Sequence, residues 1–268
     1  MPKELTAWER VEKARSKDRP TALDYIELIF DDFIELHGDR SYKDDKALIG
    51  GIARINSQNF TIIAEQKGRN IQENIERNFG MPNPESYRKA IRLMKQAEKF
   101  GRPVITFIDT KGAYPGIGAE ERGQGEAIAK SMFTMSNLKV PIIAIVIGEG
   151  SSGGALAIGV ADEILMLENS IYSILTPEGY ASILWKDSSK YKEAAQEMKL
   201  TAQDLYEFKI IDKVINEPDK HIHKKENLSK ILKQEILTNI KELNKLDKQH
   251  LIQKRYEKFR RIGEYIKV

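Results

Sequence analysis

Short apolar runs alternate with amphipathic stretches along most of this chain, the pattern of strands interleaved with helices. Val104 to Ile108, with Thr106 as its one polar residue, and Val140 to Ile147 are apolar runs, as expected of strands covered on both faces. Ala47 to Ile55 and Phe60 to Glu65 read as two strands joined by the polar turn Asn56-Ser57-Gln58-Asn59, a hairpin. Short strands are expected at Ile164 to Leu167 and Ile171 to Leu175. Between them lie helical patterns: Glu85 to Lys99, with Ala90, Leu93, Met94 and Ala97 on one face, and about Ala119 to Ser136. Thr176-Pro177-Glu178-Gly179 opens another, with proline and an acid in its first turn.

Towards the start, Thr6 to Lys17 reads as a charged helix. A second, capped by Thr21 or Asp24, would carry Ile26, Ile29, Phe30, Phe33 and Ile34 and end at His37-Gly38. Lys67 to Pro84 reads as a long irregular segment, which inside a compact domain points to function or mobility. After about Glu217 the chain turns to Lys, Glu and Asn. Leu228, Ile231, Leu232, Ile236, Ile240, Leu243 and Leu246 still make one apolar helical stripe, for packing on the core or on a partner. Strands alternating with helices predict an α/β domain with mostly parallel pairing.

Two strand–glycine loop–helix units stand out. The strand ending at Ile147 runs into Gly148-Glu149-Gly150-Ser151-Ser152-Gly153-Gly154-Ala155, followed by a helix near 154–161. The strand at 104–108 runs into Asp109-Thr110-Lys111-Gly112-Ala113-Tyr114-Pro115-Gly116-Ile117-Gly118. A helix start offers unsatisfied N–H groups and the positive end of its dipole, so it suits a negative charge. Glycines admit a substrate oxygen close to the backbone. Two such loops on one pocket suggest chemistry run by backbone dipoles around an oxyanion; one alone would be read as close strand–helix packing.

Composition narrows the options. The 268 residues are 41% hydrophobic and 31% charged, an ordinary globular balance, with a net charge of +3 from 43 basic and 40 acidic residues. Nucleic-acid binding dominated by phosphate contacts is not indicated. With 0 cysteines, thiolate zinc sites, disulfides and cysteine nucleophiles are excluded. Met1 to Thr6 is no signal-peptide start, and no apolar run approaches the ~20 residues of a membrane span, so a cytoplasmic protein with no membrane partner is expected.

Gly150-Ser151-Ser152-Gly153-Gly154 fits the nucleophile elbow G-x-S-x-G, with Ser152 as nucleophile of a hydrolase. Its triad would need His37, His221, His223 or His250. The phosphate-binding glycine signatures are incomplete. Glu120 and Glu121 point different ways on a helix and suit its first turn. Asp109 at a strand end is a polar site candidate or a loop cap. No His/Asp/Glu group has metal-ligand spacing; His221-Ile222-His223 reads as exposed.

Several spaced motifs together resemble one family, the alpha subunit of bacterial acetyl-CoA carboxylase carboxyltransferases. They are Glu35-Leu36-His37-Gly38-Asp39-Arg40, Lys67-Gly68-Arg69-Asn70, Asn78-Phe79-Gly80-Met81-Pro82, Asp109 to Gly116, Ala119 to Gln124, Ile147 to Gly159, and Ser173 to Trp185. The resemblance implies a crotonase-like (ClpP/crotonase) α/β superhelix of ββα units with flanking terminal helices. One carboxyltransferase domain over 1–268 is expected, with a core at about 22–216, a helix at 6–17 and a helical tail at 221–268.

It also implies an α2β2 assembly with a beta subunit that binds most of the acyl-CoA and carries the zinc. Biotin carboxyl carrier protein and biotin carboxylase would be further partners, and this chain would itself hold no cofactor or metal. The implied reaction moves a carboxyl group from carboxybiotin to acetyl-CoA, giving malonyl-CoA. Biotin released from CO2 would take a proton from the acetyl methyl, so no side-chain base is required. On this resemblance the backbone N–H groups of Gly153, Gly154 or Ala155, helped by Gly112 and Ala113, stabilise the oxyanion. Tyr114 and Pro115 wall the biotin ring, and Ser151 and Ser152 line the site. The chain departs from the family pattern at Lys111, Ser151 and Asn83; Lys111 would add positive charge at the site or bridge to Asp109, and Ser151 keeps the turn if its φ is negative. A scaffold that keeps the shape without catalysis is the third reading.

Overall fold

The computed structural model describes residues 5–218 and 224–263. Two helices open the chain, α1 (Ala7–Ala14) and α2 (Ala22–Ile29), followed by strands β1 (Asp32–Glu35), β2 (Leu48–Ile55) and β3 (Gln58–Glu65). Then come α3 (Ile71–Glu76), α4 (Pro84–Phe100), β4 (Val104–Thr110), α5 (Ile117–Glu121), α6 (Gln124–Asn137), β5 (Ile142–Ser151) and α7 (Ser152–Leu156). The rest comprises β6 (Glu163–Leu167), β7 (Ile171–Ser173), α8 (Pro177–Tyr180), α9 (Tyr191–Glu197), α10 (Ala202–Glu207), β8 (Lys213–Ile215), α11 (Lys224–Leu243) and α12 (Lys248–Arg261).

One sheet in the order β1-β2-β3-β4-β5-β6-β8 holds the molecule together, with β7 paired to the far end of β5. The β1-β2-β3 pairings are antiparallel, and those from β3 onwards are parallel. The sheet is therefore mixed, with an antiparallel edge on the expected parallel centre. Strands β4 and β5 are buried over their whole lengths, including the polar residues at their carboxyl ends that follow the apolar runs. On one face, Tyr25, Ile26 and Ile29 of α2 and Leu228, Leu232, Ile236 and Ile240 of α11 pack on Ile62, Phe107 and Ile145. On the other, Ala90, Leu93, Met94 and Ala97 of α4 pack on Ile63, Ile108 and Val146. The apolar stripe of the tail thus covers this chain's own core.

Some boundaries differ from the sequence reading. The second helix ends at Ile29, and Phe33 and Ile34 lie on a strand paired to Gly51–Arg54 of β2. Their burial alternates, Phe33 inward and Ile34 65% exposed, the period of a strand and not of a helix. Gly51 makes the pairing possible, because any Cβ there would collide with the Ile34 carbonyl. His37 consequently caps no helix; it is exposed, with Nδ1 3.1 Å from an Asp44 oxygen. The hairpin turn is tighter than expected, since β3 starts at Gln58 and Asn56 takes a φ of 54°.

The segment 67–84 is less irregular than its composition suggested: Asn70 caps α3, and Asn78–Gly80 forms a short 3-10 turn. The helix expected over 119–136 is two, broken at Gly123, whose φ is 82°. The tail is also two helices, with Asp247 capping the second. The tail histidines His221 and His223 lie outside the described residues.

Candidate active site

Both glycine loops leave the sheet at the carboxyl ends of neighbouring parallel strands, where open α/β sheets place their sites. β5 runs further than its apolar residues, through Gly148 to Ser151, because Glu149–Ser151 pair with β7. Ser151 has an extended backbone, φ −127°, so its side chain costs the turn nothing. Ser152 makes the reversal alone, at φ 58°, a left-handed conformation that side chains resist. α7 begins at once, so Gly153 and Gly154 occupy its first turn, where N–H groups have no intrahelical acceptor.

The structure brings the two loops into direct contact. A Cβ built on Gly154 would lie 2.5 Å from the Ala113 nitrogen and 2.6 Å from the Gly112 carbonyl carbon. Only a glycine lets the start of α7 lie this close to the Gly112–Ala113 peptide. The first loop is held from behind: the Gln124 amide donates to the carbonyls of Pro82 (3.0 Å) and Tyr114 (2.9 Å), and the Tyr114 N–H donates to Pro82 (3.0 Å).

Gly112 uses its N–H within its own loop. Its φ of 135° suits glycine, but its N–H points at the Thr110 hydroxyl (3.1 Å), which in turn donates to the Gly112 carbonyl. Ala113 lies half-buried beside Gly154, and Gly153 and Gly154 stand across from it in the first turn of α7, with the buried Ala155 following. The Tyr114 ring folds back over Gly116, and Pro115 is exposed beside it. Lys111 is exposed, and the partner of Asp109 is Lys67, with Nζ to Oδ1 at 2.5 Å.

Beneath the loops lies a line of charges that the sequence reading missed. The same Asp109 oxygen accepts from the Glu149 N–H (2.9 Å), and the Asp109 N–H donates to the buried Glu65 carboxyl (3.2 Å). Burial, and then the charge of Asp109, pushes the Glu65 carboxyl well above the usual range. Glu149 is 0% exposed and is met by Arg15, reaching from the end of α1. A glutamate between glycines directly after the apolar run Ile142 to Ile147 was the available signal for Glu149. Arg15 had none, being one of many charges on a surface-like helix.

The hydrolase reading loses its base among the described residues. Ser152 is exposed, but His37 is held by Asp44 and His250 by Asp247 (2.6 Å) on the surface, and neither bonds to Ser152. No group of His, Cys, Asp and Glu among the described residues is placed to hold a metal. Nor is any described helix long and apolar enough to cross a membrane.

The mixed sheet with its two opposed glycine loops is a fold shared with solved transcarboxylase and acyl-CoA carboxylase structures. The methylmalonyl-CoA-bound transcarboxylase 12S superposes with a TM-score of 0.67 at 21% identity, over 84% of this chain and 43% of that one. The beta subunit of geranyl-CoA carboxylase from P. aeruginosa does so with a TM-score of 0.65 at 17% identity, over 88% and 45%. Residues 1–263 match the family described as acetyl co-enzyme A carboxylase carboxyltransferase-like, and the chain belongs to that family.

Among its relatives is the acetyl-coenzyme A carboxylase carboxyl transferase subunit alpha of Clostridium botulinum, 63% identical over 257 residues, 96% of this chain and 94% of that protein. The beta/alpha protein of Natranaerobius thermophilus is 61% identical over 265 residues, 98% of this chain but 44% of its own length. This chain therefore spans less than half of such two-part relatives.

Proposed function

We propose that this chain is the alpha component of an acetyl-CoA carboxylase carboxyltransferase, which moves the carboxyl group of carboxybiotin to acetyl-CoA to give malonyl-CoA. The observation that carries the reading is the 63% identity to an alpha subunit along 94% of that subunit. The contact of Gly154 with the Gly112–Ala113 peptide supplies a physical means. When the carboxyl group leaves biotin, negative charge gathers on the ureido oxygen; when the acetyl methyl loses its proton, charge gathers on the thioester oxygen. N–H donors fixed before reaction stabilise such charge without reorganisation, each worth about 2.7–4 kcal/mol of barrier. The close contact of Gly154 with the Gly112–Ala113 peptide supports N–H donors of the two loops acting together on one such oxygen, with Tyr114, Pro115 and Ser152 on the same two loops.

Relatives that carry both beta and alpha parts in one protein support a beta-type partner that completes the site. The acyl-CoA and zinc would belong mainly to that partner. Biotin would arrive on a carrier protein charged by a biotin carboxylase, and the cytoplasm is the compartment that suits such a complex.

The test is acetyl-CoA formation from malonyl-CoA and biocytin, with this chain alone and mixed with a purified beta subunit. Activity in the mixture and none in either component is the expected result. A mixture that associates but does not turn over would overturn the catalytic reading and leave the scaffold reading.

A further inference from the structure

We propose that Arg15 is a positioning residue for the glycine turn: by holding Glu149 and Glu178 together it fixes Gly150–Ala155 against the Gly112–Ala113 loop. The inference rests on the carboxyltransferase reading of that turn and assigns a role to the N-terminal helix, which otherwise lies outside the site.

Arg15 caps the end of α1. Its Nε and Nη2 donate to one Glu149 oxygen at 3.1 and 2.8 Å, and its Nη1 donates to Glu178 at 2.7 Å. The two carboxylates come from parts of the chain 29 residues apart, and Arg15 bonds both. Glu149 lies in β5 just before the turn at Ser152, and Glu178 lies in the first turn of α8, beyond β7. The planar guanidinium suits this double grip, because its donors leave in fixed directions towards two acceptors at once. Glu149 is fully buried, and its second oxygen has no partner, so Arg15 is its one countercharge among the described residues.

The Glu149 backbone is tied from its other side as well, its N–H to Asp109, which Lys67 grips. Lys67, Asp109, Glu149, Arg15 and Glu178 thus form one linked line beneath both loops, two ion-paired ends joined by the Glu149 N–H to Asp109 bond. Asp109 stands shortly before Ala113, and Glu149 shortly before Gly154. A shift of Glu149 towards water would move the turn, and with it the spacing between the donors of the two loops. Positioning errors of this size matter because preorganised donors act only where the oxyanion forms.

Docking of α1 does not depend on Arg15. Arg10 donates to the Glu168 carbonyl (2.8 Å) and to Asn169 (3.1 Å), and Arg19 pairs with Glu217 (3.2 Å). Ala7, Val11 and Ala14 pack on Ile171, Ala195 and Leu200. Replacing Arg15 therefore loosens the turn while leaving the helix in place.

The experiment compares Arg15→Gln, Arg15→Lys and Glu178→Gln in the full chain, by two readouts. In carboxyl transfer with the beta subunit, kcat of Arg15→Gln should fall about ten- to a hundredfold, the scale of a misplacement of order 1 Å, with KM for malonyl-CoA unchanged. Arg15→Lys should recover part of the loss, and Glu178→Gln should lower kcat in the same direction. In hydrogen exchange of the chain alone, the amides of 150–156 should exchange faster in Arg15→Gln while those of α11 do not change. Wild-type kcat and wild-type exchange at 150–156 in Arg15→Gln would overturn the inference. A wild-type mixture without turnover would instead overturn the proposed function, and the exchange readout would still decide on Arg15.

Discussion

Gly154 sits directly against the amide of Ala113, close enough that an added Cβ would stand 2.5 Å from its nitrogen. The obstructing atoms are backbone, held by Gln124 and Pro82, so they cannot swing aside as a side chain end would. Gly154→Val should push the loops apart and lower carboxyl transfer by about a hundredfold or more, the scale of a lost oxyanion donor. The rest of the sheet does not depend on this contact. Far-ultraviolet circular dichroism and association with the beta subunit should stay near wild type. Near-normal rates in the variant would remove Gly154 from the site.

Ser152 separates the carboxyltransferase from the hydrolase reading. Its hydroxyl is exposed with no histidine bonded to it among the described residues, so Ser152→Ala should retain carboxyl transfer and a serine-reactive phosphonate should not label the wild type. Its φ of 58° predicts a second outcome. The left-handed backbone costs a side chain about 1–2 kcal/mol, and glycine gives back about 0.5–1 kcal/mol through its freer unfolded chain. Ser152→Gly should therefore leave the urea midpoint level or slightly higher, whereas Ser152→Val should lower it.

Arg255 ties the last helix to the core. It is 1% exposed, makes two bonds to Asp162 (2.8 and 2.7 Å), and donates to the carbonyls of Met135, Leu138 and Val140. Arg255→Met would leave a buried carboxylate and three carbonyls short of a donor. The expected loss is about 3–5 kcal/mol, read from urea unfolding, because a broken buried pair costs far more than an intact one contributes. An unchanged midpoint would show that the Arg255 network adds nothing to stability.

Glu163, at the start of β6, gives a pH dependence with a definite sign. Burial first, then Asp212 and Asp162, push its carboxyl from 4.5 up to about 7, against the pull of Lys258 and Lys254. The folded chain thus holds this proton more tightly than the unfolded chain does. The stabilisation is complete below about 4.5, is lost as pH rises towards about 7, and is absent beyond it. Glu163→Gln cannot lose a proton there, so its Tm relative to wild type should climb across that window and then level off. A difference that stays flat would mean that Glu163 titrates normally.

The sequence by itself determined the elements whose signals are local. The strand at 104–108, the buried strand from Ile142, the hairpin around Asn56 and helix α4 follow from the periodicity and turn chemistry of their own residues. The motifs from Glu35 to Trp185 carried the family, because such spacing is written in the chain whatever its shape. Tertiary structure decided what depends on partners distant in sequence. Phe33 and Ile34 became a strand because Gly51 lets a neighbour approach, and β5 reached Ser151 because β7 pairs there. Gly112 gave up its N–H to Thr110, a bond within one turn that composition does not reveal. Arg15 and Glu149 are 134 residues apart, and only the packing of α1 across the sheet makes one the countercharge of the other. Local propensity can state that a glutamate in a buried strand needs a cation, but the fold alone selects which one.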